Sequence, residues 1–134
     1  MSAEQGSAAA EAPAERISEA ELAVMEVLWE EAPQSAADVC ARIGKARGWS
    51  MPTVKTLLAR LVAKGALATT PEGRRFLYTP LIARSHYVGT ESRRLVDRLF
   101  GGRAAPLFAN LAANEQLSDE DIAEIERLLK ELRK

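Results

Sequence analysis

The stretch most informative about the fold is residues 50–80, which read SMPTVKTLLARLVAKGALATTPEGRRFLYTP. The first half has apolar residues at the spacing of a helix, and Ser50 is positioned to cap that helix. Pro52 falls in the first turn, where its missing N–H costs nothing, and Gly65 ends the helix. From Leu67 the pattern alternates, breaks at a Pro-Glu-Gly turn and alternates again, which predicts a β-hairpin.

Two further helix starts precede this stretch. Ser18 with Glu21 three residues later forms a capping box, and Ser35 followed by Asp38 repeats the spacing. Pro33 separates the two helices. Three helices followed by a hairpin is the order of a winged helix-turn-helix, in which the third helix enters the major groove of DNA and the hairpin contacts the flanking backbone.

The distribution of charge, rather than its sum, indicates a nucleic-acid partner. The net charge is only −1, but residues 39–75 contain eight basic side chains against the single acid Glu72. The acids are concentrated in the N-terminal tail and in the last helix. Residues 39–75 therefore have the local positive charge that binding to a phosphate backbone requires.

The third predicted helix has two different faces. At about 100° per residue, its valines and leucines fall on one side and its threonines and basic residues on the other. Threonine can hydrogen-bond a base or pack its methyl group on thymine, and lysine can donate to guanine or phosphate. We predict base contacts from Thr53, Lys55 and Thr56, and phosphate contacts from Ser50, Arg60, Lys64, Arg74 and Arg75. The alternative is an ordinary solvated helix face beside a hairpin tip that is charged for solubility.

The C-terminal region has its own apolar pattern. A helix follows Pro80, and a last helix begins with the capping box of Ser118 and Asp121. The region has more apolar surface than its helices can bury by themselves, so we predict burial between two copies of the chain. The predicted dimer contacts are Leu95, Leu99, Phe100, Leu107, Phe108, Ile122, Ile125 and Leu129. Packing on the winged helix of the same chain is the alternative.

These patterns together predict a mainly α protein with a small β-hairpin. The predicted divisions are a disordered tail at residues 1–16, a winged-helix DNA-binding domain at 17–80 and a helical dimerisation region at 81–134.

Composition excludes several other classes of protein. The chain has one cysteine, Cys40, and one histidine, His86, so a catalytic triad or a multi-cysteine metal site lacks its residues. We expect no metal, no cofactor and no enzymatic activity. No apolar run has the length of a membrane span, and the N-terminus lacks the order of a signal peptide. We expect a cytoplasmic protein without membrane insertion.

Four stretches of the sequence resemble one known family. They are ISEAELAVMEVLW, SMPTVKTLLARLVAKGAL, EGRRFLYTPL and LSDEDIAEIERLL, and they resemble the penicillinase repressor (BlaI/MecI/CopY) family of bacterial transcription regulators. The resemblance implies a homodimer that binds an inverted repeat in double-stranded DNA, with Thr53, Lys55 and Thr56 at the family's base-contacting positions. The copper-responsive branch has a C-terminal cysteine motif that this chain lacks.

The resemblance also implies a mode of regulation. Some members are inactivated when a membrane-bound sensor metalloprotease causes cleavage between an Asn and a Phe in the dimerisation region. The matching position here is Asn110 and Leu111, with Leu in place of Phe. The alternative is that Leu111 is a core residue and Asn110 a surface residue.

Two other functions use the same fold. One is a regulator that a small molecule releases from DNA, and the other is a protein-interaction module that does not bind DNA. A steep salt dependence on duplex DNA distinguishes a repressor from the interaction module.

Overall fold

The computed structural model describes residues 16–134. The chain divides into two compact units, one that ends at Thr90 and one that spans Glu91–Lys134. It is mainly helical with one small antiparallel sheet of three strands, which confirms the predicted fold class. The predicted disordered tail lies outside the described residues except for Arg16.

Three helices lie between residues 16 and 66 of the first unit. Helix α1 spans Glu19–Glu30 and α3 spans Met51–Ala63. Helix α2 runs through Ala36–Val39, a π-helical turn at Cys40–Gly44, and Lys45–Arg47.

Each of these helices begins at a predicted cap. The hydroxyls of Ser18, Ser35 and Ser50 each accept a hydrogen bond from the backbone N–H three residues along the chain. Gly48 and Gly65 follow α2 and α3 with φ of 70° and 81°, a left-handed conformation that glycine adopts without a steric penalty. The helix ends are therefore determined by local residues, as the sequence predicts.

The predicted hairpin is present, and a third strand joins it. Strands β2 (Leu67–Glu72) and β3 (Arg75–Pro80) pair antiparallel, and β1 (Gln34–Ser35) pairs with the other edge of β3. Strand β1 is not predictable from the sequence, because two residues are too short to display an alternating pattern. We call the β2–β3 hairpin the wing.

The core of the first unit lies among the three helices and the base of the wing. Its fully buried side chains include Val24, Met25, Leu28, Val39, Val54, Leu58, Leu61, Leu67 and Ile82. Ile82 and Tyr87 come after the wing but pack in this cluster, and the indole N–H of Trp29 donates to the carbonyl of Ile82 at 2.9 Å. For this reason the first unit extends to Thr90, beyond the predicted boundary after Pro80.

Three helices continue the chain. Helix α4 spans Arg84–Phe100, α5 spans Ala104–Ala113 and α6 spans Asp119–Leu132. The capping box of Ser118 and Asp121 is formed at the start of α6. Neither α5 nor α6 has a buried side chain. None of the helices in the described part of the chain combines the length and the apolar character that crossing a membrane demands.

Candidate nucleic-acid interface and dimer surface

Helix α3 buries one face and exposes the other. Val54, Leu57, Leu58 and Leu61 are buried in the core. The four side chains on the opposite side are exposed, and we call this set the recognition face: Thr53, Lys55, Thr56 and Arg60. The apolar face of α3 packs against α1 and α2. The threonines and basic residues are therefore on the exposed side, as the helical spacing predicts.

The hydroxyl of Thr56 already has a partner within the helix. Its Oγ1 donates to the carbonyl of Pro52 at 2.9 Å. The oxygen lone pairs and the methyl group remain available on the exposed side. Thr56 is therefore suited to accept a hydrogen bond from a base amino group or to pack on a thymine methyl, rather than to donate.

Two hydroxyls lie at the N-terminal end of α3. Ser50 Oγ accepts from the backbone N–H of Thr53 at 3.4 Å, and the two side-chain oxygens are 3.2 Å apart. A helix N-terminus carries a partial positive charge from its unpaired N–H groups. This end of α3 favours an anion such as a phosphate.

The basic residues of the first unit differ in whether they have an acidic partner. Lys55, Arg60 and Arg74 form no salt bridge with another residue in the described range 16–134. Arg75 Nε, in contrast, donates to the Glu72 carboxylate at 2.9 Å, and this hydrogen bond and the charge of Glu72 raise the pKa of Arg75. Glu72 therefore offsets part of the positive charge that Arg75 offers to an anion.

The structure gives Lys64 a different role from the predicted phosphate contact. Its ammonium lies 2.6 Å from Glu21 Oε1 and donates to the Arg16 carbonyl at 2.7 Å. The two side chains are only 16% and 3% exposed. Burial alone would raise the pKa of Glu21, but hydrogen bonds from Lys64 and the Ser18 N–H, with the Lys64 charge, hold it below its ordinary value. Lys64 therefore joins the end of α3 to the start of α1.

A groove connects α3 to the wing. It has a volume of about 360 Å³ and lies where the start of α2, the start of α3 and the wing meet. Lys55 and Arg74 line it from opposite elements, and Met51 and Phe76 supply apolar surface. We call it the wing groove. The sequence does not single out Met51 and Phe76, because apolar residues at these spacings are equally typical of a core.

The second unit exposes much of its apolar surface. Among the predicted dimer residues, Leu99 is 59% exposed and Leu129 is 51% exposed. Helices α5 and α6 enclose a groove of about 570 Å³, and four of the predicted dimer residues line it: Phe108, Ile122, Ile125 and Leu129. The other predicted dimer residues, Leu95, Phe100 and Leu107, are partly buried.

The predicted cleavage site lies inside α5. Asn110 is exposed, and its carbonyl accepts a hydrogen bond from Asn114 Nδ2 at 2.8 Å. Leu111 is partly buried. The peptide bond between them therefore belongs to a helix rather than to a loop.

The sequence matches one protein family over most of its length. The family model described as "Penicillinase repressor" matches residues 17–131. The penicillinase repressor of Bacillus licheniformis is 39% identical over 116 residues, covering 87% of this chain and 91% of that protein. The methicillin resistance regulatory protein MecI of Staphylococcus aureus strain N315 is 29% identical over 113 residues, covering 84% and 92%.

A solved structure resembles the first unit. The solution structure of the DNA-binding domain of the repressor BlaI is 44% identical, with a TM-score of 0.50. The similarity covers 54% of this chain and 88% of that domain.

Proposed function

The chain belongs to the penicillinase repressor family, and on this premise we propose that it is a sequence-specific, DNA-binding transcriptional repressor that acts as a homodimer on an inverted-repeat operator. The observation that carries the proposal is the recognition face of α3, which is exposed and free of acidic residues while the opposite face is buried. A repressor of bacterial genes acts in the cytoplasm.

In the proposed complex, some residues of the first unit contact base edges and others contact phosphates. Thr53, Lys55 and Thr56, in the N-terminal half of α3, meet base edges in the major groove. Ser50, Arg60 and Arg74 contact phosphates, which fixes the position of α3 without reading sequence. Arg75 contacts phosphate in competition with Glu72, and Lys64 is omitted because Glu21 holds its ammonium.

The homodimer is supported by the second unit. Helices α5 and α6 leave Phe108, Ile122 and Leu129 between 42% and 51% exposed around an apolar groove. A second copy of the chain is the partner that brings a second recognition face, and two half-sites then add their binding energies. An inverted repeat is the operator that matches such a two-fold dimer.

We further propose that cleavage between Asn110 and Leu111, caused by a membrane-bound sensor metalloprotease, relieves repression. A cut at this bond separates most of α5 from α6, and so divides the groove that supports the dimer. Mass spectrometry of the chain from induced cells tests this: fragments that end at Asn110 and begin at Leu111 are expected. An intact chain after induction contradicts relief by proteolysis.

The repressor proposal is tested by binding of the purified protein to DNA from its own upstream region and to a scrambled duplex of equal length. We expect tighter binding to the upstream DNA, with an affinity that falls steeply as the salt concentration rises. Equal affinity for both duplexes contradicts sequence-specific repression. Failure to bind either duplex indicates a protein-interaction module instead.

A further inference from the structure

The side chain of Phe76 is exposed in a groove that is also lined by basic side chains. The side chain is 54% exposed, although it shares a face of β3 with Tyr78, which packs against the core. This face of the wing thus continues beyond the edge of the core, and its last aromatic ring reaches the wing groove. A partner that covers this aromatic surface would gain the free energy of burying it.

The lining of the wing groove specifies the chemistry of that partner. Lys55 and Arg74 line it as cations without an acidic partner among the described residues, whereas Glu72 offsets the charge of Arg75, which also lines the groove. Met51 and Phe76 form apolar surface between these charges, and the small side chains of Ala36 and Ala37 leave room for close approach. The partner must therefore combine negative charges with apolar groups at short intervals.

A nucleic-acid backbone has this composition, since phosphates alternate with deoxyribose rings whose carbon edges are apolar. We propose that one DNA strand lies in the wing groove, with Phe76, supported by Met51, packed on a deoxyribose beside a phosphate held by Arg74, while Lys55 on the opposite side of the groove reaches a base edge. This inference rests on the proposed DNA-binding function and assigns to Phe76 a contact that depends neither on sequence nor on salt.

Substitution of Phe76 tests the contact in the full chain. Phe76→Ser is expected to weaken binding about tenfold to the upstream duplex and to the scrambled duplex alike, because the lost surface is apolar. The slope of affinity against salt should not change. Phe76→Leu keeps most of the apolar surface and should stay within about threefold of the original protein.

Two further variants serve as controls. Leu81 is 43% exposed in the same unit and does not line the wing groove, so Leu81→Ser should bind as the original protein does. Arg74→Ser should reduce the salt slope by about one unit, because it removes a phosphate contact. Unchanged melting temperatures establish that the variants fold.

Several outcomes overturn the inference. If Phe76→Ser binds like the original protein, Phe76 does not touch DNA. A loss confined to the upstream duplex places Phe76 on a base instead of a sugar. If polyaspartate displaces DNA and its own binding is equally sensitive to Phe76→Ser, the groove binds an acidic peptide. An original protein that binds neither duplex refutes the DNA-binding function as well, whereas binding without preference refutes only its sequence specificity.

Discussion

Thr56 lies on the recognition face with its hydroxyl proton donated to the Pro52 carbonyl. If its outward-facing atoms read a base, Thr56→Ala should weaken binding to the operator by about 1–3 kcal/mol and relax the sequence preference. Titration of the variant against operator and scrambled duplexes measures both effects. Equal losses on the two duplexes contradict base reading by this residue.

A second substitution distinguishes a contact between Thr56 and a thymine methyl from a hydrogen bond that Thr56 accepts from a base. Thr56→Val keeps a methyl group on the exposed side and removes the oxygen. A contact with a thymine methyl should survive in Thr56→Val, and replacement of operator thymine by uracil should then weaken binding. A hydrogen bond accepted from a base should be lost in Thr56→Val as it is in Thr56→Ala.

Glu72 forms an ion pair with Arg75, which follows the tip of the wing. Because its carboxylate accepts a hydrogen bond from Arg75 and raises the pKa of Arg75, it also competes with phosphate for that guanidinium. Glu72→Gln should tighten binding to both duplexes and steepen the salt dependence. Glu19→Gln, which changes the net charge equally at an exposed site in α1, is the matched control. Equal effects of the two variants on binding would refute a specific restraint of Arg75.

At the scale of helices and strands, local residues were sufficient to predict most of the fold. Ser18, Ser35 and Ser50 interact with backbone three residues away, so their capping roles are visible in the sequence. Contacts between distant segments were not predictable. Lys64 appeared to belong to the DNA-facing side of α3, and only its position in the fold brings it to Glu21, a residue 43 positions earlier.

The ion pair of Glu21 and Lys64 joins two helices, and its loss should destabilise the first unit. Glu21→Gln keeps a side chain that can complete the capping box but leaves the largely buried Lys64 ammonium without its counter-charge. We expect a decrease of about 3 kcal/mol in the free energy of unfolding. Urea denaturation measures it, with Glu19→Gln as the control. If Glu21→Gln lowers the free energy of unfolding no more than Glu19→Gln does, the ion pair has no structural role.

The same ion pair predicts a dependence of stability on pH. Because the pKa of Glu21 is lower in the folded protein than in the unfolded chain, its stabilisation is complete above the unfolded pKa. That stabilisation disappears as the pH falls through the folded pKa. The free energy of unfolding of the original protein should therefore decrease more in acid than that of Glu21→Gln. Parallel pH profiles for the two proteins contradict this assignment.

At the scale of the whole molecule, the two units differ in how their apolar surface is covered. The first has a core with fully buried side chains, whereas the last two helices of the second have none. The sequence predicted this difference from the excess of apolar residues after Pro80. It did not predict which of those residues line a common groove, because that depends on how α5 and α6 pack.

The second unit should therefore depend on a second copy of the chain for its stability. Leu129 lines the apolar groove and is 51% exposed, so Leu129→Glu places a charge where the proposed dimer buries apolar surface. We expect this variant to sediment as a monomer at concentrations where the original protein is a dimer. Its melting temperature should also lose the dependence on protein concentration that a dimer has.

Binding to DNA completes this test of the dimer. A monomeric Leu129→Glu retains the recognition face, so it should bind a half-site as the original chain does but lose the advantage of the full inverted repeat. Leu81→Glu puts the same charge on a residue of the first unit that is 43% exposed, and it should remain dimeric. If Leu129→Glu still sediments as a dimer, the second unit associates through another surface. If it is a monomer that binds the full operator with undiminished affinity, two half-sites do not act together.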